Sequence, residues 1–79
     1  MAKGTQDARY RHLIEVLATA RRKAGGNQSE LAEKLGKRQQ FVSKYESGER
    51  RLDAVELIDI CRALDLDVAD LLRALADRQ

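Results

Sequence analysis

"NQSELAEKLGKRQQFVSKYESGERR", residues Asn27 to Arg51, sets two short apolar patterns around one glycine and ends in a second glycine and a basic pair. Asn27 and Glu30 have the N-x-x-E spacing of a capping box, in which each side chain satisfies the other's backbone N–H. Leu31, Ala32 and Leu35 then recur on one helical face. Gly36 ends that helix, because glycine takes the left-handed turn without steric strain. The next helix is expected from Gln39 to about Ser47, terminated by Gly48. At 100° per residue, Val42 and Tyr45 lie about 60° apart and form its inward side. Gln40, Ser43, Lys44 and Ser47 fall opposite, with Gln39 on one flank and Phe41 on the other. So short a helix is marginal alone and needs its neighbour to hold it. Two helices joined by "GKR", with small Ala32 at the crossing, make a helix-turn-helix at about residues 28–47.

Further helices extend outward from this pair. A first helix is expected from Asp7 to Ala24, with Tyr10, Leu13, Ile14 and Leu17 at helical spacing and Ala20 and Arg21 continuing that side. Gly25 and Gly26 stop it, and Arg21, Arg22 and Lys23 in its last turn suit the helix dipole. A fourth opens at Asp53, with Glu56 completing another capping box and Leu57, Ile58, Cys61 and Leu64 expected inside. A fifth opens at Asp67, with Val68, Leu71, Leu72 and Leu75 at i, i+3, i+4, i+7. There is no proline, repeat, low-complexity segment or convincing strand. The expectation is an all-α, compact five-helix single domain over residues 1–79, with residues 1–7 a frayed tail.

Composition narrows the function classes. The chain has 79 residues, enough for one domain with a small core, so oligomerisation is a common supplement. No apolar run approaches the roughly 18 residues of a membrane span, and "MAKGTQDARYRH" lacks a signal-peptide apolar region. The lone Cys61 gives no disulfide framework or thiol metal site, and a cytoplasmic location is the expectation. Net charge is +2, but residues 1–52 carry +6 and residues 53–79 carry −4. A basic front suits a polyanion, although a solvated charged surface reads the same way. One His, one Cys, no glycine-rich phosphate loop and no convergent carboxylates argue against an enzyme. Asp65, Asp67 and Asp70 lack calcium-loop spacing and read as caps of the fifth helix. No metal, cofactor or small-molecule ligand is expected. His12 reads as first-helix packing or surface, and Cys61 as a buried small hydrophobe.

"QSELAEKLG", followed by a helix ending in "ESGER", resembles the lambda-repressor/Cro-like helix-turn-helix family, also called XRE. Lambdoid repressors are themselves the standard example of the docking geometry this implies: a second, recognition helix lying in the major groove. The resemblance covers roughly Leu13 to Leu72, and it implies a DNA-binding regulator of bacterial or phage origin with double-stranded DNA as partner. It implies base contacts from Gln39, Gln40, Ser43 and Lys44. A glutamine amide pairs bidentately with adenine N6 and N7, and a lysine donates to guanine O6 or N7. Phosphate contacts are implied at Gln28, Ser29, Lys37, Arg38, Arg50 and Arg51, with Gln28 also bracing the recognition helix. Phe41 has two readings, burial beside the fourth helix or contact with a thymine methyl. Tyr45 is expected in the core with its hydroxyl exposed.

Arg21 and Glu46 match a family pair that forms an ion pair between the first and third helices. The sequence departs from the family pattern at three places. Gly26 and Lys37 stand at often apolar positions, and Arg38 stands where a Ser or Thr cap is common. A homodimer on inverted half-sites would extend the short site. Leu71 and Leu72 are expected to face the core, leaving Ile60, Val68 and Leu75 as candidate dimer contacts. A compact repressor is the leading expectation, and an antitoxin or protein-interaction adaptor on the same fold is the alternative.

Overall fold

Capping side chains set where the chain enters its helices. The computed structural model describes residues 7–78, so the expected tail lies, apart from Asp7, outside the described residues. Asp7 is the N-cap of α1 (Ala8–Lys23), its carboxylate accepting from the Arg9 amide. The two capping boxes form as spaced. Asn27 and Glu30 open α2 (Gln28–Leu35), and Asp53 and Glu56 open α4 (Ala54–Ala63). Asp67 caps α5 (Val68–Ala76) through the Asp70 amide. The exception is α3 (Gln39–Ser47), whose N-cap residue, Arg38, makes no side-chain cap hydrogen bond.

Glycines end the two central helices in the left-handed region, Gly36 at φ 68° and Gly48 at φ 87°. At Gly36 the Lys37 amide donates to the Ala32 carbonyl (2.9 Å) and the Gly36 amide to the Glu33 carbonyl (3.1 Å). This is a Schellman closure, and it turns the chain at once from α2 into the approach to α3. α4 ends in the same way with Asp65 at φ 62° in place of glycine. Among the described residues all regular structure is helical, and no helix is long and apolar enough to cross a membrane.

The core is built by α1, α2, α3 and α4 around Leu17, Leu31, Ala32, Val42, Tyr45, Leu57, Ile60 and Cys61. Ala32 is 2% exposed, which fits a small residue where α2 and α3 meet. On α3, Val42 and Tyr45 are both fully buried, as the helical wheel requires. α5 lies across the outside of this core: Val68, Leu71 and Leu75 are half-buried against it, and no α5 residue is fully buried.

Several expected orientations are corrected. Ile60 is fully buried, so it is not available as a dimer contact, whereas Ile58, expected inside, is 37% exposed. The two isoleucines lie about 200° apart around α4, so only one can face inward. Packing of α4 against α2 selects Ile60. Leu72, expected in the core, is 48% exposed; Leu75, expected free, is half-buried, as is Leu64. Leu72 lines a shallow groove with Tyr10, Leu13, Arg51 and Leu75, between α1 and α5.

The Tyr45 hydroxyl was expected at the surface. It is buried and has no hydrogen-bond partner among the described residues. Its ring meets Phe41 edge-on with centroids 5.6 Å apart. Burial pushes the phenol well above its usual range, so it stays neutral. A buried unpaired hydroxyl costs about 1–3 kcal/mol. Tyr45→Phe keeps the ring packing and removes that group. Urea unfolding of Tyr45→Phe is expected to give a stability equal to the parent or higher by about 1 kcal/mol; a loss of that size would mean the hydroxyl is paired.

Candidate nucleic-acid interface

α3 offers one buried and one open side. Gln39, Gln40 and Lys44 are exposed, and Ser43 is half-buried with its hydroxyl donating to the Gln40 carbonyl (3.3 Å). Gln40 and Lys44 therefore lie away from Val42 and Tyr45, with Gln39 exposed on the flank and Ser43 partly covered. Just before them, Lys37 and Arg38 are exposed on the turn, and Ser29 is exposed at the start of α2. The first amides of a helix have no intrahelical partner, so the α2 N-terminus presents N–H groups and a positive dipole end suited to an anion.

One carboxylate holds this assembly. Glu46, near the end of α3, accepts from Arg21 Nε at 2.8 Å and from a second guanidinium nitrogen at 3.1 Å. The pair links α1 to α3, with side chains only 12% and 9% exposed. The ion pair raises the Arg21 pKa further above its already high value. A third guanidinium nitrogen donates to the Gly26 carbonyl (3.1 Å), fixing the link between α1 and α2. That contact ties down Gly26, which stands at an often apolar position of the family pattern. Gln28 Nε2 also donates to Glu46 (2.9 Å), and Gln28 Oε1 accepts from Gln39 Nε2 at 3.5 Å, a long bond. Gln28 thus stands between the largely buried side chains of the ion pair and the first residue of α3.

The two arginines of the α3–α4 turn diverge. Arg50 is paired through two nitrogens with Glu56 (2.9 and 2.8 Å), and it lies over the Phe41 ring, 5.0 Å from the centroid. Lys37 lies near the same ring at 5.3 Å. Arg51 lies over the Tyr10 ring at 4.5 Å, and the Tyr10 hydroxyl accepts from the Leu52 amide. Phe41 itself is half-buried in a crevice with Leu35, Glu56, Asp59 and Ile60, beside α4. The basic pair was visible in the sequence. The Arg50–Glu56 partnership was not, because six residues and a turn separate them; the only local signal was the capping glutamate with a second carboxylate oxygen to spare.

The family model described as Helix-turn-helix matches residues 17–71. Among solved structures, an XRE-family like protein from Pseudomonas syringae pv. tomato str. DC3000 is 47% identical, with a TM-score of 0.85 over 94% of this chain and 90% of that one. The chain belongs to the XRE family of helix-turn-helix proteins. A search of curated proteins returns no match. As an XRE-family protein it is of the DNA-binding regulator type, which is not an enzyme class. The matched region runs from the middle of α1 to the middle of α5 and contains every residue of the α2–α3 surface described above.

Two stability measurements test the scaffold. Glu46→Ala strands a nearly buried guanidinium, and Arg21→Ala strands the carboxylate; each is expected to lower stability by about 3 kcal/mol. The double substitution should lose clearly less than the sum, and additive losses in urea titrations would refute the coupling. Glu56 gives a pH effect. Arg50 holds its carboxyl below the ordinary value of about 4.3, aided by the Asp53 amide. The stabilisation is therefore complete above that ordinary value and is lost as pH falls through the lowered one. Asp7, held at about 2 beside Arg9, acts in the same direction lower on the scale. Glu56→Gln, which preserves a capping-box side chain, should flatten the acid limb of the stability profile, below the ordinary carboxyl value. An unchanged slope there would assign the acid limb to other carboxyls.

Proposed function

We propose that this XRE-family chain is a sequence-specific transcriptional repressor, a single helix-turn-helix domain that places α3 in the major groove and binds a dyad-symmetric operator as a homodimer. The observation that carries the reading is the segregation on α3, where Gln39, Gln40 and Lys44 are exposed and Val42 and Tyr45 are fully buried. In this reading Gln39 and Gln40 pair with base edges, and Ser43 and Lys44 extend the contact by one turn. Ser29, Lys37 and Arg38 engage phosphates, together with the N-terminal amides of α2. Gln28 sits beside that N-terminus and braces Gln39. Arg51 remains exposed at the edge of the surface and adds charge there.

A second copy extends the site to two half-sites. Among the described residues Leu72, Ile58 and Val55 are the large apolar ones left exposed, and they are the natural contacts for it, together with the half-buried Val68 and Leu75. Repression then follows from occupancy of the operator.

Selection of bound duplexes from a random pool, followed by affinity measurement against salt, tests the proposal. A dyad-symmetric motif is expected, with half-site centres about 34 Å apart. Affinity that never rises above non-specific binding would refute sequence-specific regulation and favour an antitoxin or adaptor role. On the selected duplex, Gln40→Ala is expected to relax preference at one base position at a cost of about 1–3 kcal/mol.

A further inference from the structure

The first turn of α3 carries the glutamines, yet among the described residues it is the one helix start without a side-chain cap hydrogen bond. Such a turn frays unless something holds it from the side. Gln39 has only its 3.5 Å bond to Gln28, and Gln40 is exposed. Phe41 is the first α3 side chain packed against the rest of the protein, and two cations lie over its ring, the Arg50 guanidinium at 5.0 Å and the Lys37 ammonium at 5.3 Å, of which the α4 N-terminus holds Arg50. Arg50 is itself immobilised by both Glu56 oxygens, and its Nη1 also donates to the Arg51 carbonyl at 3.1 Å. Glu56 is fixed in turn by accepting from the Asp53 amide (2.9 Å) in the α4 capping box. A continuous chain of contacts therefore runs from the α4 N-terminus through Glu56, Arg50 and Phe41 to the uncapped turn.

We propose that Arg50, held by Glu56, is a positioning residue that fixes the first turn of α3 through Phe41 and so sets base discrimination at the Gln39 and Gln40 positions, rather than a phosphate anchor. The charge arithmetic agrees. Arg50 and Glu56 together are neutral, three hydrogen bonds to Glu56 and the Arg51 carbonyl already hold the guanidinium, and a phosphate drawn to it would approach the Glu56 carboxylate, itself 15% exposed. A neutral pair releases no counterions on binding, whereas each phosphate contact adds about 0.9 to the salt slope. The planar guanidinium matters here because it covers the ring while forking onto the carboxylate, which a lysine ammonium cannot do.

The inference rests on the base-reading role of α3 proposed above, and the experiment separates the two. Wild-type protein is first used to select its duplex; absence of any selected motif would defeat that role itself. Arg50→Lys and the charge-conserving double variant Arg50→Ala/Glu56→Ala are then compared with wild type. Each is checked by urea titration to be folded at the assay temperature. Binding is measured against salt on the selected duplex and on the duplex altered at the base pair that Gln40→Ala identifies. Both variants are expected to lose about tenfold of the discrimination at that pair, with a salt slope unchanged from wild type. A slope lowered by about 0.9 in the double variant would make Arg50 a phosphate anchor. Discrimination retained in the folded variants, or restored by lysine, would reduce the contact to stability alone. If the double variant does not fold, Arg50→Lys decides the question by its discrimination.

Discussion

A single carboxylate, Glu46, sets the relation between three helices. It lies on α3, receives the forked guanidinium of Arg21 from α1, and takes the Gln28 amide from the start of α2. Apolar residues of similar volume would fill the same space, often with equal or greater stability, because desolvating two charges offsets most of their attraction. What apolar packing does not provide is direction. Val42 tolerates small rotations of α3 about its axis; a bidentate pair with a third donor does not. In this protein that direction fixes the angle at which the α3 outer face stands relative to the α2 N-terminus. The base-reading role proposed for this two-helix surface needs that angle more than it needs further stability.

The charge distribution complements this arrangement. Basic side chains at Lys37, Arg38, Lys44 and Arg51 lie on or beside the α2–α3 surface, and residues 53–79, the last two helices with their caps and connections, carry a net −4. Yet the acidic half is not merely kept at a distance. Glu56 reaches forward to Arg50 and neutralises it, so the formal count of cations near α3 overstates the charge free to meet a polyanion. Net charge by segment was legible in the sequence; effective charge depends on pairings that cross elements.

That distinction describes what the sequence reveals more generally. Helix limits were readable nearly to the residue, because caps are local chemistry: Asn27 with Glu30, Asp53 with Glu56, and Gly36 and Gly48 in the left-handed region act within a single turn. The inward side of α3 was readable too, since Val42 and Tyr45 share one side of so short a helix and Phe41 falls on its flank. On α4 the run Leu57, Ile58, Ile60, Cys61 offers apolar residues on more than one side, and periodicity cannot choose between Ile58 and Ile60. The choice belongs to the helices that pack against it. α5 was misread in the same sense: Leu71 and Leu72 are equally apolar, and only the placement of α1 leaves Leu72 at the rim of a groove. The surface of α3 was legible as a set of polar residues, and its membership in a known family gave them a meaning that their spacing alone did not.

Phe41 and Tyr45 bring these threads together. They are neighbours on α3, in edge-to-face contact, and they serve opposite ends of the helix. Tyr45 is sealed into the core, which holds the C-terminal half of α3, already tied down by Glu46. Phe41 is the only aromatic ring near the uncapped N-terminal half, and it is held between α4 and two cations rather than within the core. A fully buried Phe41 would rotate α3 and turn Gln40 toward the protein, because the two residues are about 100° apart on the wheel. A polar residue there would leave the first turn with neither a cap nor a lateral hold. A half-buried aromatic covered by a paired arginine satisfies both constraints, and it explains why Arg38 can occupy the N-cap position without a capping side chain.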